Sequence, residues 1–291
     1  MKISRRDFLG GSAALAAVGV WGLHPGVRAA AEQPWRLSAC DWSLRASGPE
    51  GLATAKQAGL EGLEISAGGP GDTVALADAA LRGKYREQSA ETGVAISSVA
   101  MGFLNRAPLA TDPRGPAWLE QTIDAAHDLD VRVVLLAFFG KGDLRQKTVL
   151  KKDAIDTVVK RLQAAAPRAE EKGVVLGLEN TLSGEDNMRI LERVGSDAVQ
   201  VYYDIGNATV YGYDVPGEIR ALDERICQIH FKDGGHFLGE GQVEVPAAAQ
   251  AIKDIGYKGW LVLETAIPTK DNIADFRRNA AYVREVFEIK A

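Results

Sequence analysis

Two short apolar runs in the middle of the chain, GVVLGLE at residues 173–179 and VQVYYD at residues 199–204, each end in an acidic side chain. Runs of this length are typical of strands buried on both faces of a parallel sheet. Six further runs have the same character, at residues 37–44, 62–66, 94–101, 131–138, 225–231 and 260–264. The segments between and after them predict helices, among them residues 72–91, 118–127, 152–172, 247–255 and 271–289.

Eight strands, most followed by a helical pattern, predict an α/β fold and specifically a closed (β/α)8 TIM barrel in a single domain. An open doubly wound sheet also alternates strands with helices. However, no Gly-x-Gly-x-x-Gly motif follows the first strand. Eight such units in about 255 residues also suit the closed barrel. We therefore assign residues 32–291 to one barrel domain.

The first 31 residues have the pattern of an export signal. Ser4-Arg5-Arg6-Asp7-Phe8-Leu9 is a twin-arginine motif, followed by an apolar stretch at residues 9–23 and by small residues at 29–31. The stretch is shorter than the ~20 apolar residues that span a bilayer, which favours a cleaved signal peptide over a membrane anchor. We predict export to the periplasm by the twin-arginine route, with no stable membrane anchor after cleavage.

Charge and cysteine content narrow the range of partners. The chain carries a net charge of −5, and without its first 31 residues, which hold four cations and one anion, it carries −8. The body of the chain has no cluster of Lys and Arg, which excludes nucleic acid and anionic membranes and favours a small-molecule substrate. Cys40 and Cys227 lie in apolar strand patterns, so we expect two buried thiols rather than a disulfide. A homo-oligomer is left open.

Four ionisable residues stand at equivalent positions on the last four predicted strands. They are Glu179, Asp204, His230 and Glu264, at spacings of 25, 26 and 34 residues. Because the carboxyl ends of barrel strands meet at the mouth, these side chains should converge. Each acid alone could cap a helix or pair with Lys. Three converging carboxylates, however, would raise one another's pKa unless a divalent cation lay between them. The set suits Mn²⁺ best, with Mg²⁺, Co²⁺ and Zn²⁺ as alternatives.

These strand endings and two further motifs make residues 37–289 resemble the xylose-isomerase-like TIM-barrel superfamily of sugar phosphate isomerases and epimerases. The motifs are Gly239-Glu240-Gly241-Gln242-Val243 and Ile255-Gly256-Tyr257-Lys258-Gly259-Trp260. The resemblance implies that the four residues are metal ligands and that Glu179 and Glu264 are also the catalytic acid and base. It implies a metal-dependent isomerase or epimerase that removes a proton next to a sugar carbonyl, giving an enediolate that the metal stabilises.

Five residues are predicted to contact substrate: Asn207, Lys232, His236, Glu64 and Trp42. The free-ketose 3-epimerases of this superfamily have His where this chain has Asn207 and Arg where it has His236, which argues against a free ketose as substrate. Simpler interpretations stay open for the others, namely a solvated pair of Lys232 with Asp233, a rim ion pair for Glu64 and plain packing for Trp42.

Two other functions are compatible with the same residues. A lyase or hydrolase-type enzyme acting on 3-oxo-glycosides would use the same metal site and the same proton abstraction but expel a leaving group. Export favours this alternative, because glycosides reach the periplasm intact. A non-catalytic carbohydrate-binding barrel is less favoured, since binding alone does not need a metal flanked by two glutamates.

Overall fold

Eight parallel strands form a closed barrel in the structure, a computed structural model that describes residues 34–289. The barrel strands are β1 Trp35–Cys40, β2 Gly62–Ser66, β3 Ala95–Met101, β4 Val133–Phe138, β5 Val175–Asn180, β6 Val199–Asp204, β7 Ile226–Phe231 and β8 Gly259–Leu263. β1 pairs both with β8, at Trp35 and Gly259, and with β2, at Ser38 and Gly62. The predicted (β/α)8 barrel is confirmed.

Helices connect the strands. They are α1 Asp41–Leu44, α2 Gly51–Gln57, α3 Ala79–Thr92, α4 Gly115–Asp128, α5 Lys152–Lys172, α6 Gly184–Val194, α7 Ile205–Val210, α8 Val215–Leu222, α9 Val245–Asp254 and α10 Asn272–Phe287. A two-stranded antiparallel ribbon, Arg145–Gln146 with Val149–Leu150, precedes α5. The predicted bounds of α5 are confirmed, and those of α4, α9 and α10 differ by one to three residues at each end.

Glycine stops two of the long helices just before a strand begins. Gly93 after α3 and Gly173 after α5 have φ of 74° and 66°, the left-handed region in which other residues are strained. Their backbone N–H groups donate to carbonyls of the preceding turn, Ser89 and Glu170 respectively. These stops set where β3 and β5 start, and hence which residues reach the mouth of the barrel.

Two predicted boundaries were wrong, and both lie next to the mouth. The first strand ends at Cys40 instead of residue 44, because the Asp41 carboxylate accepts hydrogen bonds from the N–H and the hydroxyl of Ser66 at the end of β2, and the chain turns into α1. The helix predicted from residue 72 begins at Ala79, where the Asp78 side chain caps it by accepting from the Ala80 N–H.

The apolar core has two parts. The larger part lies between the strands and the surrounding helices. The smaller part fills the barrel itself and consists of Cys40, Ala100, Val133, Leu135, Ala137, Tyr202 and Val262. Barrel interiors are usually filled by branched apolar side chains. Here Glu64, Ser98, Gln228 and His230 share the interior and are at most 1% exposed. A polar network therefore underlies the mouth.

Three smaller expectations concern the thiols, the membrane and the signal. Cys40 and Cys227 are free thiols, the first buried as expected and the second only half-buried. Within residues 34–289 no helix has both the length and the apolar character needed to cross a membrane. The predicted signal peptide at residues 1–31 lies outside the described residues.

Candidate active site

Four strand ends bring the predicted ligands together at one end of the barrel. Glu179 lies at the end of β5, Asp204 ends β6, His230 lies near the end of β7 and Glu264 follows β8. One ligating atom from each lies within 4.8 Å of all the others. This convergence is what the strand spacing predicted, because residues at the same height on neighbouring parallel strands face a common centre.

His230 is the centre of the cluster. Its Nδ1 atom lies 3.1 Å from Glu179 Oε1, 3.5 Å from Glu264 Oε2 and 3.8 Å from Asp204 Oδ2. The imidazole is fully buried, and Glu179 and Asp204 are at most 5% exposed. Only the Glu264 side chain, 18% exposed, faces partly toward solvent.

A cation of the protein itself already lies among these carboxylates. Lys232 Nζ is 2.8 Å from Asp204 Oδ2 and 2.6 Å from Glu264 Oε2. Burial alone would lower the pKa of Lys232, but the two carboxylates outweigh burial and raise it above its usual value. The site therefore concentrates negative charge strongly enough to hold a half-buried ammonium group.

Burial and neighbouring charges shift the pKa values of Glu179 and Glu264 in opposite directions. Burial raises the pKa of Glu179 to about 7 and also raises that of Asp204 above its usual value. Burial opposes ionisation of Glu264 too, but the positive charges of His230 and Lys232 prevail and lower its pKa to about 2. Two carboxyl groups with different proton affinities are the usual basis for separate acid and base roles.

The donor set fits a divalent cation. Three carboxylates and one imidazole around a common centre are ligands of the kind that Mn²⁺ and similar ions accept. A bound cation would also remove the repulsion between carboxylates held this close together. Glu179, Asp204, His230 and Glu264 are the residues that would hold it.

A cavity of roughly 320 Å³ opens beside the cluster. Glu179 and Glu264 form part of its wall, and Trp42, Phe103 and Phe139 add aromatic surface. The Trp42 indole N–H donates to Glu264 Oε1 at 3.1 Å, which ties the aromatic wall to the cluster. A space of this size with aromatic walls and a few polar groups is typical of small-molecule sites.

Not every predicted substrate contact lies on this cavity. Trp42 does, whereas Lys232 contacts the cluster itself. Asn207 is at the start of α7 and donates its backbone N–H to Asp204 Oδ1, away from the cavity wall. His236 is exposed on the loop after β7. Glu64 is fully buried beneath His230 and not at the rim, so this geometry supports neither a rim ion pair nor direct contact with substrate.

Sequence reasoning missed several residues of the site. Ser66, at the end of β2, and Asn105 and Arg106, in the segment after β3, line the cavity, and nothing in the local sequence marked them. A signal did exist for the polar interior. Alternation along β6 and β7 places Tyr202 and Gln228 inside the barrel with Asp204 and His230, and polar inward residues below a site indicate a supporting network.

The fold and the site together define a TIM-barrel protein with a carboxylate–imidazole cluster at the mouth of the barrel. Comparison with known sequences gives the family. Residues 52–286 match the xylose isomerase-like TIM barrel family, and the chain belongs to it. Residues 2–20 match the twin-arginine translocation pathway signal sequence.

Sequence relatives and solved structures with the same fold are similar to this chain. The 2-epi-5-epi-valiolone 7-phosphate 2-epimerase of an Actinoplanes species is 28% identical over 75% of this chain and 82% of that protein. The structure of an L-ribulose 3-epimerase superposes with a TM-score of 0.72 at 23% identity, covering 87% of this chain and 94% of that one. The 3-keto-D-glucoside 4-epimerase of E. coli also gives 0.72, at 15% identity, over 86% and 99% of the two chains.

Proposed function

We propose that this protein is a divalent-metal-dependent sugar isomerase or epimerase that acts in the periplasm on a small carbohydrate. The observation that carries the proposal is the cluster itself, in which two glutamates, an aspartate and a histidine meet beside a cavity of sugar size. The epimerase names of the relatives support the reaction class, and the twin-arginine match supports export. Mn²⁺ is the ion that we expect, with Mg²⁺, Co²⁺ and Zn²⁺ as alternatives.

The two glutamates divide the proton transfer in this proposal. One carboxylate takes the proton from the carbon next to the sugar carbonyl, and the other returns a proton to the opposite face. They come from β5 and from the end of β8, so they approach the cavity from different sides. The Trp42 indole and the Lys232 ammonium each hold one oxygen of Glu264 and orient that carboxylate. A bound divalent cation would stabilise the negative oxygen of the enediolate.

Replacing either glutamate by glutamine tests the proposal. Glu179→Gln and Glu264→Gln keep the shape of the side chain but remove the base, so turnover should fall by roughly 10²–10⁴. The assay is turnover and solvent deuterium uptake in D₂O with a panel of free sugars, 3-oxo-sugars and glycosides. For an epimerase, one of the two variants should still exchange substrate hydrogen with solvent without forming product. Glu185→Gln, on a side chain that is 76% exposed, is the matched control.

A lyase acting on 3-oxo-glycosides is the second candidate. It is favoured by the export signal, because glycosides reach the periplasm intact. The same assay separates the two functions, because a lyase releases a leaving group and needs the second glutamate only as an acid. Near-normal turnover in both Gln variants would contradict a catalytic role for the glutamates in either function.

A further inference from the structure

A buried carboxylate lies directly beneath the proposed metal ligands. Glu64, on β2, is fully buried in the barrel interior, and its Oε1 atom lies 2.8 Å from His230 Nε2. Its other oxygen, Oε2, is 2.5 Å from the Ser98 hydroxyl and 2.9 Å from the Tyr202 hydroxyl. A buried charge is costly unless it is well hydrogen-bonded, and Glu64 has these three partners and the Cys40 thiol, which lies 3.4 Å from Oε1.

The next layer of the barrel sets the direction of these hydrogen bonds. Gln228 is 1% exposed, and its amide Nε2 donates to both hydroxyl oxygens, at 2.7 Å for Ser98 and 2.9 Å for Tyr202. A hydroxyl has one hydrogen, so each of them accepts from Gln228 and donates to Glu64. Oε2 of Glu64 is thereby engaged twice, which leaves Oε1 to accept from His230.

This arrangement selects one tautomer of His230. A carboxylate can only accept, so Nε2 of His230 must carry the hydrogen that faces Glu64. Nδ1 faces Glu179, Asp204 and Glu264. A divalent cation among those carboxylates would need a lone pair on Nδ1, so the ring would then be neutral and would keep its one hydrogen on Nε2, facing Glu64.

We propose that Glu64 is a positioning residue that holds His230 in the Nε2–H tautomer and so presents Nδ1 to the divalent cation. The inference rests on the proposed metal-dependent function and extends it to a residue that does not touch the ion. Carboxylates that accept from a ligating histidine fix its orientation and strengthen it as a ligand. The sequence-based expectation that Glu64 binds substrate is replaced by this role.

A second metal site is the competing interpretation of the same group, because Cys40 joins Glu64 and His230 in a cluster of ligand-type atoms. The contacts argue against it. Cys40 Sγ lies 3.4 Å from both Glu64 Oε1 and His230 Nε2, and those two atoms are themselves 2.8 Å apart, which are hydrogen-bond distances. At 3.4 Å the Cys40 thiol donates to Glu64 Oε1.

The test measures ion affinity, not turnover. The mature protein is stripped with a chelator and titrated with Mn²⁺ by calorimetry. Glu64→Gln places an amide against donors on both sides, so the affinity for Mn²⁺ should fall about 10- to 100-fold. Tyr257→Phe is the control, because it removes one buried hydrogen bond, to the Trp260 carbonyl, at the opposite end of β8. It should lower the melting temperature but leave the affinity unchanged.

A second measurement needs no variant of Glu64. Long-range ¹H–¹⁵N spectra of the Zn²⁺-loaded mature protein, which has three histidines, should show His230 protonated at Nε2 and bound through Nδ1. Binding through Nε2, two ions per chain, or unchanged Mn²⁺ affinity in Glu64→Gln would each overturn the inference while the proposed function stands. Failure of the unmodified protein to bind any divalent ion would instead overturn the proposed function.

Discussion

At the scale of single residues, Asp204 has both a local and a convergent role. Asp204 caps α7 by accepting the Asn207 N–H through Oδ1 and directs Oδ2 into the cluster. The interpretation as a helix cap and the interpretation as a metal ligand are therefore both compatible with this side chain, because they use different oxygens. Local sequence alone could not have separated the two roles.

Removal of single ligands should release the ion. Asp204→Ala and His230→Ala each take one donor from a set of four, and the remaining carboxylates cannot complete the coordination. Elemental analysis of the purified mature protein should show about one divalent ion per chain, with the ion largely lost in both variants. Glu185→Gln again serves as the control and should keep the ion. Full occupancy in both ligand variants would contradict the ligand assignment.

At the scale of elements, the loop after β7 explains one of the sequence motifs. Asp233 is 2% exposed, and its carboxylate accepts from three consecutive backbone N–H groups, those of Gly241, Gln242 and Val243, at 2.7–3.0 Å. A Cβ atom at residue 241 would lie 2.1 Å from Asp233 Oδ1, so only glycine fits there. The Gly-Glu-Gly motif thus fixes the loop that leads into α9. We call the Asp233 carboxylate and its three N–H donors the loop clamp.

The clamp predicts a large loss of stability for Asp233→Ala. The substitution leaves three N–H groups without their acceptor, each costing about 1–3 kcal/mol if it stays buried. Chemical denaturation should therefore show a greater loss in free energy of unfolding for Asp233→Ala than for Asp271→Ala. The second substitution removes one exposed cap bond, to the Ala274 N–H, and should cost about 1 kcal/mol. Equal losses in the two variants would show that the loop relaxes and that the clamp contributes little.

At the scale of the whole molecule, the export signal and the placing of the proposed ligands both require that the chain folds early. The twin-arginine route carries folded proteins. The four proposed ligands come from four strands and are up to 85 residues apart, Glu179 to Glu264, so they could bind an ion only once the barrel has closed. Folding before export would let the protein take up its metal in the cytoplasm.

Export should depend on the two arginines of the motif. Changing Arg5 and Arg6 together to Lys keeps the charge but removes the twin-arginine pattern, so the precursor should accumulate in the cytoplasm. Cell fractionation followed by immunoblotting measures the distribution, with Lys2→Arg as a control outside the motif. Periplasmic mature protein from the double-Lys chain would contradict the proposed signal.

Local patterns in the chain are enough to predict the fold and the four converging residues. Strand and helix periodicity is local, glycine stops such as Gly93 and Gly173 are local, and the closed barrel makes equivalent strand ends meet. A residue that stands at a strand end in a repeated unit is therefore placed in space by its position in the chain. This is why Glu179, Asp204, His230 and Glu264 could be selected without a structure.

The surroundings of those four residues depend on contacts that form only when the chain is folded. The turn at Asp41 depends on Ser66, and the role of Glu64 depends on His230, 166 residues further along the chain. The cavity wall at Arg106 comes from a loop whose course no periodicity encodes. Such contacts join side chains whose distance and orientation are set by barrel closure and packing. A linear pattern carries the order of the strands but not which side chains meet across the barrel.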